Sequence, residues 1–162
     1  MRLIVSALTF LAWAGLAIAV PALIAAPVLG LVPLLVLAVG FEIVFAAHVG
    51  VERIGRYLQA KYEQRADGLP GWEHAAMRLG GRPGGGAGID PLFAGFFTSA
   101  ALLNLVPIAL LSLDGPEIVG VFPLELTVYG LLHAVFVGRI VIARRWAATQ
   151  RERDLAAFTA ES

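Results

Sequence analysis

Cysteine is absent from the 162 residues. That excludes disulfides, thiolate zinc sites, iron–sulfur clusters and cysteine nucleophiles together. Lysine is nearly absent, with Lys61 alone against eleven arginines. Lys61 lies in "QAKYE", whereas a phosphate-binding P-loop needs its lysine inside Gly-Lys-Ser/Thr, so that class of nucleotide enzyme is excluded. Net charge is also absent, twelve basic residues balancing twelve acidic ones, and no overall field draws the chain to nucleic acid. Charge of either sign is scarce, at 15% against roughly a quarter in soluble proteins. The G-x-S-x-G elbow of serine hydrolases and the paired Glu-x-x-His signature of di-iron bundles are missing as well.

What the chain has is apolar surface, with hydrophobic residues making up 59%. A chain this short cannot bury that much inside itself, because small domains have too much surface for their volume. The sequence therefore predicts an all-α membrane protein, a single integral membrane domain over 1–162. Residues 3–41 form a run of 39 without a charge, too long for one crossing of roughly 20 residues and enough for two. Pro21, Pro27, Gly30 and Pro33 interrupt helical hydrogen bonding inside it and favour a turn. Spans are expected near 3–22 and 31–50. A second uncharged run predicts a third at 92–113, opened by an Asp90 cap with Pro91 at the first helical position. A fourth, near 122–143, carries Glu125 and Arg139 toward its ends, where long charged side chains reach the headgroups.

Arg2 precedes the first span, six basic residues lie between Arg53 and Arg82, and five between Arg139 and Arg153. The connection between spans three and four has none. The positive-inside rule places the N-terminus, the 51–90 loop and the 144–162 tail in the cytoplasm, as expected at a bacterial inner membrane. The even span count agrees with this orientation; the "AIA" at 17–19 also fits the end of a secretory signal peptide, and with that segment removed spans two to four would keep their orientation.

Past His48 the second span is expected to continue as an amphipathic helix along or out of the membrane surface. Val51, Ile54, Leu58 and Tyr62 recur at helical spacing and charged residues fill the other faces. "DGLPG" ends it, "WEHAAMRLG" suits one or two more turns, and the glycine-rich 80–88 segment reads as a loop rather than a dinucleotide fingerprint, since no strand precedes it. The tail predicts another amphipathic helix.

Ionisable groups within spans are costly and so mark candidate sites. Glu42, Asn104, Tyr129 and His133 form the expected intramembrane polar cluster, with Tyr129 and His133 on one face. Glu42 is expected to face the interior and bond His133 or Tyr129, with Asn104 next. An interface seam of His48, Glu52, Arg53 and Arg56 is expected, with Glu52 facing Arg56 or Arg139. His48 and Glu52 are a weak metal candidate, helped by Glu73 or His74. Haem ligation by His48 and His133 has no supporting motif, and no cofactor is expected.

The segments "HVGVERIGRYLQ" (48–59), "GWEHAAM" (71–77) and "GGGAGIDPLF" (84–93) resemble those of small multi-spanning bacterial membrane proteins without an assigned activity. The resemblance covers most of the chain and implies that the seam and the glycine-rich loop are features of a type. The functional expectation is a non-enzymatic subunit or scaffold. Its partners would be lipid and other membrane proteins or a second copy, as the small-residue spacings Gly15/Ala19 and Gly95/Ser99 suggest. The alternative is a small transporter or membrane enzyme built on Glu42, His133 and the His48/Glu52 seam.

Overall fold

A computed structural model describes residues 2–23, 30–63, 71–80, 91–113 and 123–160. These are all helical, with no strand among them. The order is α1 (Arg2–Leu23), α2 (Leu31–Leu58) running into a π-helical turn (Gln59–Glu63), α3 (Trp72–Gly80), α4 (Pro91–Leu113) and α5 (Pro123–Ala160). Prolines open α4 and α5, and Pro33 sits in the first turn of α2. The missing N–H would have no intrahelical partner at any of these places. The Asp90 cap, the 23–30 turn apart from Gly30, and most of the glycine-rich loop lie outside the described residues.

Among the described residues two helices are long and apolar enough to cross a membrane, Leu31–Glu63 and Leu124–Ala160, and shorter apolar stretches occupy Ile4–Ala19 and Phe93–Val106. The fourth expected span and the tail helix are one element. α5 runs 38 residues without a break, about 57 Å at 1.5 Å per residue.

The chain divides into two units. The first comprises Met1–Val44 and Gly95–Ile140. Four helices each place a phenylalanine in its core. Phe97 of α4 lies 5.0 Å from Phe10 of α1 and 5.4 Å from Phe41 of α2, and Phe41 lies 6.0 Å edge-on to Phe136 of α5. Such tilted and edge contacts suit the ring quadrupoles and contribute roughly 0.5–1.5 kcal/mol each beyond burial. α1 and α2 approach closely where Gly40 meets Thr9, since a Cβ at Gly40 would overlap the Thr9 side chain. Large apolar residues also face outward along each helix: Ile4, Leu8 and Leu11 on α1, Leu35, Val39 and Ile43 on α2, Leu102 and Leu103 on α4, Leu131 and Val135 on α5.

The second unit comprises Phe45–Ala94 and Val141–Ser162. Its α2 and α5 segments run in the same direction. Phe45 packs on Trp146 at 5.8 Å, Glu52 pairs with Arg151, and Tyr57 packs on Phe158 at 5.6 Å. The π turn brings Tyr57 and Tyr62 to 6.4 Å. Residues five apart point well away from each other on an α-helix and stack only when the turn widens.

Candidate functional site

Three of the four expected cluster residues meet in the first unit. Asn104, Tyr129 and His133 are all buried. His133 Nδ1 lies 2.8 Å from the Tyr129 carbonyl. A carbonyl only accepts, so Nδ1 carries the proton, and in the neutral ring Nε2 is left as an acceptor. The Asn104 amide nitrogen sits 3.1 Å from that Nε2, from the Tyr129 hydroxyl and from the Gly30 carbonyl. Its two hydrogens serve these three acceptors. The Tyr129 hydroxyl in turn donates to the Asn104 backbone carbonyl at 2.9 Å. Donors and acceptors close on one another, and one neutral proton assignment satisfies them. Chemically the cluster ties α4 to α5 and to the residue preceding α2.

Glu42 is not bonded to this cluster, which corrects the expectation of a His133 or Tyr129 partner. It accepts from Arg139, Nε to Oε1 at 2.8 Å and Nη2 to Oε2 at 2.9 Å. Such a two-pronged arrangement matches the guanidinium fork to the carboxylate. The Glu42 side chain is 49% exposed and that of Arg139 39%, so the carboxylate does not point into the bundle core either. Arg139 satisfies it from the neighbouring helix, so the carboxylate is paired although it faces outward.

The seam residues lie in the second unit, each with its own partner. Glu52 accepts from Arg151 at 2.9 Å rather than from Arg56 or Arg139. Arg53 donates to Asp154 at 3.3 Å, and Gln150 donates to the other Asp154 oxygen at 2.7 Å. Arg56 is buried, its guanidinium held by Gln59 at 2.6 Å and Glu73 at 3.0 Å. Gly55 makes this possible, because a Cβ there would stand 2.7 Å from Glu73 Oε2. His48 and Glu52 line a cleft with Gln150, Arg151 and Asp154, about 10 Å³ in size, room for a single water. Arg151 already holds the Glu52 carboxylate, and Glu73 and His74 bond Arg56 and Glu63. The donor set for a cation is thus spent on internal pairs. No group of three or more His, Asp or Glu among the described residues is arranged to hold a metal.

Glu63 was not anticipated. From the π turn it accepts the backbone N–H of Glu73 at 2.7 Å and of His74 at 2.9 Å, and lies 2.9 Å from His74 Nδ1. It caps α3 from ten residues upstream, where a carboxylate also suits the positive end of the helix. The position that would normally cap is Gly71, whose missing side chain leaves the space Glu63 fills. Desolvation pushes the Glu63 carboxyl up, but the Glu73 amide and the His74 ring and amide outweigh it and hold it below its ordinary 4.5.

Arg151, Asp154 and Gln59 were also missed. The one available signal was the charge alternation on α5, which does not name partners about a hundred residues away. No family model matches this chain, and no curated protein or solved structure is detectably similar to it.

Proposed function

We propose that this chain is a multi-pass protein of the bacterial cytoplasmic membrane, acting as a non-enzymatic subunit or scaffold of a membrane complex. Four spans come from α1, α4 and the apolar parts of α2 and α5, with both termini and the 51–90 segment cytoplasmic. The lengths of α1 and α4, 22 and 23 residues, suit a crossing of roughly 20. The outward apolar stripes suit lipid, since in water they would be an association liability. Eleven of the twelve basic residues fall on the segments assigned to the cytoplasm and the twelfth, Arg139, lies toward the cytoplasmic end of the fourth span, in keeping with the positive-inside rule.

The observation that carries the scaffold reading is the closure of Asn104, Tyr129 and His133 on one another. Polar groups that satisfy each other in dry packing act as interhelical glue, at about 0.6 kcal/mol apiece. The partners are the bilayer and another membrane protein or a second copy. Purification from native membranes in mild detergent tests this. A stoichiometric partner, or a stable homo-oligomer, is expected. A lone monomer that carries pH-dependent flux in vesicles would overturn it. Cysteine labelling at Gly115 and Gly84 tests topology, and modification of both from one side would sink it.

A further inference from the structure

The charged network of α2 occupies one face of the helix beyond His48, with Arg56 and Gln59 buried and Glu52 half-buried. The other face is inverted from what a helix leaving the membrane should show. Val51, Ile54, Leu58 and Tyr62 are exposed, Ile54 by 62%. A helix in water buries its apolar stripe and solvates its charges, whereas here the stripe is open and the charged face is largely sequestered, Arg53 alone among Glu52, Arg53 and Arg56 having an exposed side chain.

The stripe is not isolated. On the same helix it continues the outward residues Leu35, Val39 and Ile43. From Leu35 to Tyr62 the rise is about 40 Å at 1.5 Å per residue. The hydrocarbon core of a bilayer is only ~30 Å thick, but with its headgroup regions a bilayer measures ~40–45 Å. The apolar face of α2 therefore matches the full membrane, interfaces included. Its far end carries Tyr57 and Tyr62, brought edge to face by the π turn, and α3 opens on Trp72, itself exposed. Tyrosine and tryptophan concentrate at headgroup depth, where one edge of the ring is apolar and the other wet.

We infer that the α2 segment from Val51 to Tyr62 does not project into the cytoplasm but stays within the membrane, reaching the cytoplasmic headgroup layer at its Tyr62 end. Its Val51/Ile54/Leu58 stripe is covered by lipid, and its Glu52/Arg56 face is turned to α3 and α5. This rests on the membrane reading above and moves the cytoplasmic boundary on α2 from His48 to about Tyr62, roughly 20 Å along the helix. The occupant is lipid rather than protein because the stripe is continuous with the face that the same helix turns to the acyl chains. The charged pairs Glu52–Arg151 and Arg53–Asp154 would then sit beside lipid, held between helices rather than hydrated singly.

The absence of cysteine makes spin labelling direct. Single cysteines at Ile54 and Leu58 are labelled in phosphatidylcholine/phosphatidylglycerol vesicles, with Leu35 and Val39 as lipid references and position 84, in the segment assigned to the cytoplasm, as a water reference. Collision with oxygen, which partitions into lipid, is compared with collision with a water-soluble nickel chelate. Oxygen should dominate at 54 and 58, as at 35 and 39, and nickel at 84. Nickel dominance at 54 and 58 alone would overturn the inference and put the stripe in water. Weak collision with both reagents and an immobilised spectrum would also overturn it, because a protein surface would then cover the stripe. Nickel dominance at 35 and 39 would instead sink the membrane reading itself.

Discussion

Replacing Glu73 by alanine should destabilise the second unit by about 3 kcal/mol. Arg56 donates to Glu73 at 3.0 Å with its side chain only 5% exposed, and Glu73 is 20% exposed. Removing one partner of a buried pair leaves the other charge desolvated and uncompensated, which costs ~3–5 kcal/mol. The lower end applies, since a fifth of Glu73 meets solvent. Gln59 keeps one bond to the guanidinium but supplies no charge. Arg56→Met alone should cost less, because the Glu73 carboxylate can turn toward solvent. The double change Arg56→Met/Glu73→Met should fall well below the sum of the singles, as apolar replacement of a whole buried pair is often neutral. The assay is a double-mutant cycle on unfolding in mixed micelles, followed by circular dichroism, with a coupling of about 1–3 kcal/mol expected. Additive singles, or a Glu73→Ala cost under about 0.5 kcal/mol, would refute the reasoning and show that the pair is solvated.

Gly55→Ala should destabilise although alanine is the better helix former by about 1 kcal/mol, because its Cβ would displace Glu73 Oε2 from 2.7 Å; a gain in melting temperature would count against the contact. Asn104→Leu removes the amide that bonds Gly30, Tyr129 and His133 and should cost about 1–2 kcal/mol at the modest value of membrane hydrogen bonds, read by unfolding in micelles. On the membrane reading proposed above, Glu42→Gln should lower stability by up to about 3 kcal/mol by leaving Arg139 without its carboxylate beside lipid, and the double change with Arg139→Gln should recover most of it; a loss within ~1 kcal/mol, as for an exposed pair in water, would count against that reading. The cap on α3 should fail in acid. The folded Glu63 carboxyl lies below its ordinary 4.5, so its contribution is present above that value and is lost as pH falls through the folded one. Faster amide exchange at Glu73 and His74 over that range, absent in Glu63→Gln, is the expected record.

Much of the architecture is legible in the sequence. The charge-free runs place apolar helices where α1, α2 and α4 occur, the apolar stretch between Glu125 and Arg139 falls within α5, and the helix start at Pro91 falls where the proline predicts it. Asn104, Tyr129 and His133 stand out because each is a polar group in an apolar stretch. Tyr129 and His133 also share a face by spacing alone. Glu42 stood out for the same reason, but its partner was misread. Arg139 looked like a headgroup-seeking residue at a span end, and nothing local says that it lies one fork away from Glu42. The seam residues were found by their place at the change from apolar to charged sequence, whereas their partners Arg151 and Asp154 were not.

The sequence by itself determined which stretches are apolar helices, because that depends on local composition and on where proline and charge interrupt it. Which face of each helix turns inward was left to the tertiary structure. A helix with apolar residues on both its packed and its outward sides carries little amphipathic signal, so its rotation is decided by a few contacts: Gly40 against Thr9, the phenylalanines around Phe97, the amide of Asn104. Those contacts lie dozens of residues apart. The same holds for the charges, since Glu52 meets Arg151 and Arg53 meets Asp154 across about a hundred residues. Only the parallel packing of α2 and α5 in that unit sets the offset, and no local pattern in the chain encodes it.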